Sequence, residues 1–236
     1  MFSKSLLVRN GLPFVAIAAM LTWAETANAG LVIDPVGNAI LGLETKLALN
    51  DDGSPNDLLF VTNVYVRFTE ADDRFLTIAF AQIYTRNGSD FYQHPAGGDT
   101  APSEALVGMF PSLAFDTFVT FGVKTNDGSD TTATDPAYAD LGNKIVGGWY
   151  ANPDSGQGDA GNYPLNPDGT YWILIAQLTI DNKPGNGVVG SMLVFWQEFP
   201  GAPLLYNEAN FPISPSPGAL ALLGLAGLMG VRRRRD

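Results

Sequence analysis

Apolar and polar residues alternate along much of the middle of this chain, and this alternation predicts β-strands with one face on a core and one in water. Val64–Phe68 shows the pattern in its simplest form. In a second candidate, Arg74–Tyr84, one face is apolar through Leu76, Ile78 and Phe80. The same criterion predicts further strands at Phe118–Lys124, Leu31–Val36 and Ile40–Leu49.

Two later segments are apolar on both faces, which is typical of strands buried in the middle of a sheet. They are Tyr171–Ile180 and Val188–Gln197. Both are predicted to be central strands of a sandwich. The beginning of the chain's middle part is more ambiguous, because Asn38–Lys46 also fits the period of a helix.

Long polar segments separate the predicted strands. They are rich in Gly, Pro, Asn and Asp, which favour turns through positive φ, fixed φ and local side-chain capping. These segments are Asn50–Asn56, Asn87–Thr100, Asn126–Asn143 and Asn152–Thr170. About seven to ten strands without a long amphipathic helix predict an all-β domain over residues 30–212, an antiparallel β-sandwich of jelly-roll-like type. Asn207–Ser214 is predicted to be a short linker that follows it.

The C-terminal residues 213–236 have a different character. A short proline motif is followed by an apolar run over residues 218–231 and then by four consecutive cationic side chains. The fourteen apolar residues make a helix of roughly 21 Å, which is shorter than the roughly 30 Å core of a bilayer. Snorkelling of the arginine stems and local thinning allow such a segment to act as a provisional membrane anchor. The arginines are expected to stay on the cytoplasmic side. The motif and cluster residues are Pro215, Ser216, Pro217, Arg232, Arg233, Arg234 and Arg235.

This three-part tail resembles the PEP-CTERM sorting signal of exported bacterial proteins, with Ser216 standing where that family has Glu. The resemblance implies recognition by a membrane-embedded transpeptidase of the exosortase type. It also implies cleavage near the proline motif and delivery to the cell envelope or the extracellular matrix. An ordinary single-pass C-terminal anchor is the alternative interpretation.

The N-terminus is predicted to be a signal peptide over residues 1–29. Two basic residues precede an apolar run, Leu12–Trp23. The small residues Ala27 and Ala29 then precede Gly30, in the pattern that signal peptidase cleaves. Export of the mature chain follows from this pattern.

Charge and cysteine content limit the partners of the exported body. Between Gly30 and Val231 the chain carries 22 acidic and seven basic residues, and the full chain has a formal net charge of −11. Such a surface repels nucleic-acid phosphates and anionic lipid headgroups. The chain has no cysteine, which excludes disulfides and thiol chemistry. A body of this length is large enough to bury a stabilising core without such links.

Calcium is the predicted metal ligand, because loops rich in Asp and Asn supply the oxygen donors that it takes. One cluster contains Asp127, Asp130 and Asp135, and a second contains Asp51 and Asp57. Neither cluster has the spacing of an EF-hand. The alternative is that these residues form ordinary solvated turns.

Carbohydrate binding is a further hypothesis, based on Trp149, Tyr150 and Glu198. Aromatic rings stack on sugars, and Glu198 lies close to two aromatic residues that would raise the pKa of a carboxyl group. The alternative is that Trp149 and Tyr150 close one end of the core and that Glu198 is a surface acid at a strand end.

Catalysis has little support in the sequence. His94 is the single histidine of the chain, and no Gly-x-Ser-x-Gly elbow accompanies it. The favoured function is a non-catalytic structural or interaction protein of the envelope or matrix. The alternatives are a calcium- or carbohydrate-binding adhesion module of an exopolysaccharide matrix, and a secreted hydrolase that uses Glu198 or His94.

Overall fold

The computed structural model describes residues 40–50, 52–183 and 185–211. Within these residues the chain forms ten strands, one short α-helix and three short 3-10 helices. The strands are β1 (Ile40–Leu49), β2 (Pro55–Phe68), β3 (Arg74–Thr85), β4 (Phe118–Val119), β5 (Ala133–Thr134), β6 (Ala139–Asp140), β7 (Lys144–Tyr150), β8 (Tyr171–Asp181), β9 (Val188–Gln197) and β10 (Leu205–Phe211). The helices are α1 (Glu104–Met109) and the 3-10 turns Pro111–Phe115, Pro153–Ser155 and Ala160–Asn162.

The strands form two antiparallel sheets, which confirms the all-β prediction. One sheet has four strands in the order β1-β2-β8-β4. The other has six strands, with β10-β9-β3-β7-β5 in sequence and β6 also paired with β7. The longest pairings are β1 with β2, β2 with β8, and β3 with β9.

One cluster of buried apolar side chains joins the two sheets. Val64 and Ile175 enter it from the four-stranded sheet, while Ile83 and Trp196 enter it from the six-stranded sheet. Each of these four side chains is at most 1 % exposed. Burying a side chain of this size stabilises the fold by about 1.5–3 kcal/mol, so this core provides the stability that disulfides provide elsewhere.

The four-stranded sheet is also covered on the face that points away from the shared cluster. Gln177 lies on that face of β8, and its Nε2 donates hydrogen bonds to the carbonyl oxygens of Ala114 at 2.9 Å and Asp116 at 2.8 Å. The neighbouring Val61 and Leu174 are buried as well. The segment that contains the 3-10 turn Pro111–Phe115 therefore forms a third layer over this sheet.

Most predicted strands agree with the structure, among them Ile40–Leu49, which is β1 and pairs with β2 over its whole length instead of forming the alternative helix. Two other expectations are wrong. Of Phe118–Lys124 only Phe118–Val119 is strand, since the chain turns at Gly122, whose φ is +85°. Asn207–Phe211 is not a linker, because it forms most of the edge strand β10.

Sequence reasoning missed β7 altogether. Its sequence Lys-Ile-Val-Gly-Gly-Trp-Tyr contains a glycine pair, which weakens a strand pattern. Gly147 has a φ of +102°, and a Cβ atom there would lie 2.5 Å or less from the backbone of Tyr138. A close approach between two backbones therefore requires the glycine that obscured the strand. The predicted strand Leu31–Val36 lies outside the described residues.

Candidate functional site

The outer face of the six-stranded sheet carries an unusual number of solvent-exposed aromatic side chains. Phe80 on β3 is 74 % exposed and Tyr206 on β10 is 66 % exposed. Tyr84 and Tyr150 are each nearly half exposed. Apolar patches that stay in solvent on a folded protein commonly mark an interaction site. This set of side chains, together with Phe195, is called the aromatic face below.

A line of three rings runs across the strands on this face. The strand register aligns Tyr206 with Phe195, Phe195 with Thr77, and Thr77 with Tyr150. The ring centroids of Phe195 and Tyr206 are 5.7 Å apart. Because these residues lie opposite one another on adjacent strands, the rings form a row perpendicular to the strand direction.

Phe80 reaches this face through a β-bulge. Two residues of β3, Phe80 and Ala81, lie opposite the single residue Met192 of β9. Phe80 has a φ of +50° and is the one non-glycine residue with positive φ among those described. Such a conformation is strained for a large side chain. The bulge turns the ring of Phe80 outward, since Ile78 and Ala81 on either side point into the core.

Polar side chains form a second row on this face, four residues along β9 from the row of rings, with Leu193 and Ala79 in between. Gln82 on β3 lies opposite Ser191 on β9, and Ser191 lies opposite Asn210 on β10. Glu208 and Lys144, which carry opposite charges, also lie on outward positions of this sheet. The face is therefore amphipathic, with aromatic rings next to amide and hydroxyl groups and balanced charges.

The three residues predicted to bind carbohydrate differ in their exposure to solvent. Trp149 is fully buried in the core, so its indole ring does not face solvent, and its assignment to a sugar-binding surface is wrong. Tyr150, the next residue along the strand, points the other way and belongs to the aromatic face. Glu198 follows the end of β9 and is exposed, beyond the last paired residue Gln197.

Sequence reasoning missed most of the aromatic face. Leu193 and Phe195 contributed to the interpretation of β9 as apolar on both faces, but that pattern does not say whether the second face is covered. Phe80 was assigned to the same face as Leu76 and Ile78. The bulge reverses that orientation, and no local sequence signal announces it.

The predicted calcium ligands mostly stabilise their own turns. Asp127 Oδ1 accepts hydrogen bonds from the backbone nitrogen and hydroxyl of Ser129, and Asp135 Oδ1 accepts one from the backbone nitrogen of Ala137. Asp130 Oδ1 accepts from Thr132 and also from Gln157 Nε2 at 2.6 Å. Asp57 lies in β2, far along the chain from these loops, and Asp51 lies outside the described residues.

Over the described ranges, no group of three or more His, Cys, Asp or Glu side chains is arranged to hold a metal ion. Calcium binding stays a prediction, based on the composition of the loops. The hydrogen bonds explain why these loops are rich in Asp, because each carboxylate caps a turn two residues ahead of it.

A cluster of ionisable residues lies on the covered side of the four-stranded sheet. Glu44 Oε2 accepts hydrogen bonds from Asn63 Nδ2 at 3.2 Å and from the Tyr65 hydroxyl at 2.9 Å. Burial raises the pKa of Glu44, but these bonds and the charges of Lys124 and Lys46 outweigh it, so that the pKa lies below its usual range. An ionised Glu44 has no proton to donate at neutral pH, so Glu44 itself does not fit the role of a general acid.

The surroundings also shift the pKa values of Lys46 and Tyr65 in this cluster. Burial and the charge of Lys124 lower the pKa of Lys46, whose Nζ lies 5.9 Å from the centroid of the Phe115 ring. Burial and the negative charge of Glu44 raise the pKa of Tyr65. The cluster joins β1, β2 and the covering segment through charge-assisted contacts.

Asp116 is a fully buried carboxylate that fastens the loop containing His94. Its Oδ1 accepts a hydrogen bond from the His94 backbone nitrogen at 2.7 Å, and its Oδ2 accepts one from Gly98 at 3.3 Å. Burial raises the pKa of Asp116 to about 6 despite these hydrogen bonds. His94 Nδ1 accepts from the Ala96 backbone nitrogen at 3.1 Å. The contact between His94 and Asp116 uses the histidine backbone, which is not the imidazole–carboxylate pair of a catalytic triad.

The sorting and processing residues all lie outside the described residues. They are Ala27, Ala29, Gly30, Pro215, Ser216, Pro217, Arg232, Arg233, Arg234 and Arg235. In the part of the chain that the structure describes, none of the helices has the length and apolar character needed to cross a membrane.

The fold and the site together define an all-β domain with one covered sheet and one open, aromatic sheet. Compared with known proteins, the chain matches no protein-family model, no curated protein and no solved structure.

Proposed function

We propose that this chain is an exported, non-catalytic interaction protein that is displayed at the cell envelope or released into the extracellular matrix. The observation that carries the proposal is the aromatic face, because it leaves large apolar rings in water without a role in the core. The proposed localisation rests on the termini, which are interpreted as a signal peptide at 1–29 and a sorting tail at 213–236. Signal peptidase and an exosortase-type transpeptidase are the processing partners.

The proposed architecture of the body is a jelly-roll-like β-sandwich. The path of the chain supports it, because β2, β4 and β8 lie in the four-stranded sheet and β3, β7 and β9 lie in the six-stranded sheet, so that the chain crosses repeatedly from one sheet to the other. The distribution of buried residues supports it as well, since both sheets contribute to one core. A rigid body of this kind suits display, because its faces keep their shape without disulfides.

The position of the tail supports display close to a membrane. The edge strand β10 ends at Phe211, and six residues separate it from the apolar run that begins at Gly218. Six residues span at most about 20 Å when fully extended. While the tail is intact, the open six-stranded sheet is therefore proposed to lie near the membrane surface, and cleavage near Pro217 releases it.

Mass spectrometry of the mature protein, combined with cell fractionation, tests this proposal. The expected product begins at Gly30, ends near Pro217 and is recovered from the envelope or the medium. A variant in which Arg232–Arg235 are replaced by Gln is expected to lose retention at the membrane, because the cationic stop is removed. Recovery of the full-length chain with both termini intact among cytosolic proteins would refute the proposal.

A further inference from the structure

We propose that the aromatic face binds an uncharged polysaccharide, whose chain lies across β10, β9, β3 and β7. This inference rests on the proposed function as an interaction protein and names the partner of that surface. It assigns the contact to Tyr206, Phe195, Phe80 and Tyr150.

The shape of the face suits a linear, flat ligand. The row formed by Tyr206, Phe195, Thr77 and Tyr150 crosses four adjacent strands. At about 4.8 Å between strands, the row is roughly 14 Å long, enough for a short run of sugar units. The CH groups on the faces of pyranose rings pack against aromatic rings in the same way as other apolar surfaces do.

The polar row on the same face lies about 13 Å along the strands from the row of rings and close to Phe80, and it favours a polysaccharide over an apolar protein surface. Gln82, Ser191 and Asn210 can donate to and accept from sugar hydroxyls on one side of the chain. An apolar partner would bury these groups without hydrogen bonds, which opposes binding. A polyhydroxylated chain satisfies them while its apolar faces cover the rings.

Charge selects an uncharged polymer. Glu208 and Lys144 leave the outward positions of this sheet close to neutral, and among the described residues neither forms an ion pair. The chain as a whole has a formal net charge of −11, which repels anionic polymers. A neutral glycan needs no ion pair on this face and is not repelled by the negative charge of the chain.

The conformation of Phe80 is the second observation behind the proposal. The bulge holds a bulky residue at a φ of +50° and leaves its ring 74 % exposed, so the strain does not serve the packing of the core. Strained residues persist where the surrounding fold enforces them, and they concentrate at sites of function. Phe80 is therefore expected to extend the contact next to the row of rings.

The test uses the full chain in native affinity gels that contain hydroxyethylcellulose, galactomannan or xyloglucan as soluble neutral probes. Polygalacturonate serves as the anionic comparison. At least one neutral polymer is expected to retard the native chain, and the retardation should persist in 0.5 M salt because no ion pair carries it. In Phe195→Ala and Tyr206→Ala the dissociation constant is expected to rise about fivefold or more.

Phe110→Ala is the matched control, since Phe110 is also an exposed aromatic residue, 46 % exposed, but follows α1 on the other side of the molecule. It should bind as the native chain does. The proposal is overturned if no neutral polymer retards the chain, or if the face variants bind as tightly as the control. It is also overturned if sedimentation shows a self-association through this face that Phe195→Ala abolishes.

The outcome is separable from that of the proposed function. Failure to bind a neutral glycan, with the mature protein still found in the envelope or medium, removes only the choice of partner. Recovery of the intact chain from the cytosol removes the proposed function itself.

Discussion

Two residues of this protein show how local conformation and burial can oppose the ordinary preferences of a side chain. Phe80 occupies a backbone conformation that favours glycine, yet its ring contributes little to the core because it is 74 % exposed. Asp116 is a carboxylate with no exposed surface, and backbone nitrogen atoms rather than a cation surround it. Each departure from preference leads to a measurable prediction.

At position 80, a glycine variant should be more stable than an alanine variant, which is the reverse of their usual order of stability in a strand. At φ +50° glycine avoids a strain of about 1–2 kcal/mol that alanine retains. Phe80→Gly is therefore expected to exceed Phe80→Ala in free energy of unfolding by about 1 kcal/mol, as measured by urea denaturation. At Gln82, an exposed position of the same strand, Gly should be less stable than Ala by about 0.5–1 kcal/mol. The same order at both positions would contradict the positive φ of Phe80.

Asp116 should make stability depend on pH in the direction opposite to a salt-bridged carboxylate. Its pKa is about 6 in the folded protein and 3.8 when unperturbed, so the folded state binds more protons between these values. The free energy of unfolding should then fall as pH rises from about 4 to about 6, by up to about 3 kcal/mol.

The pKa values of Glu44 and Asp168 are lowered in the folded protein, so their contributions to the free energy of unfolding are lost as the pH falls. The contribution of Asp116 is therefore measured as the difference between the native chain and Asp116→Asn in urea titrations at several pH values. A difference that does not change between pH 4 and pH 6 would show that burial does not control the protonation of Asp116.

At the scale of elements, β8 and β9 have similar sequences and different environments. Both are apolar on both faces, but the segment around Pro111–Phe115 covers the second face of β8, whereas the second face of β9 belongs to the aromatic face. Periodicity separates the two faces of a strand from each other, but it does not reveal which of them another layer will cover.

Truncation of two neighbouring residues of β9 should therefore change the free energy of unfolding by very different amounts. Trp196 is 1 % exposed in the core, so Trp196→Ala is expected to lower the free energy of unfolding by about 3–5 kcal/mol. Phe195 is on the open face and contacts Tyr206, so Phe195→Ala should cost about 1 kcal/mol. Urea denaturation of the two variants measures the difference. Equal losses would mean that the outer face of β9 is covered in the folded chain.

At the scale of the whole molecule, the two sheets differ in how many of their faces are covered. The four-stranded sheet is buried on both sides, and its outer layer holds the cluster of Glu44, Lys46 and Tyr65 under the covering segment. The six-stranded sheet has one buried and one open side, and its edge strand β10 ends at Phe211, six residues before the predicted membrane segment at 218–231. This asymmetry leaves the molecule with one open face, to which the proposed contact is assigned, and one closed side.

Much of this organisation follows from the sequence by itself. The alternation of residues in β3 and the continuous apolar runs of β8 and β9 determined these strands, because side-chain direction in a strand repeats every two residues. The predicted signals at 1–29 and 213–236 are likewise local, since a short stretch of side chains defines each of them. These predictions of export and sorting need no knowledge of the fold.

The tertiary structure alone decided which aromatic residues face solvent. Trp149 and Tyr150 are adjacent in sequence, and one is buried while the other is open. Phe80 points outward because β9 and β7 enforce a bulge in β3, and Phe195 is open because the covering segment packs on the other sheet. Contacts between residues far apart in the chain determine these outcomes, and a pattern of neighbouring residues does not contain them.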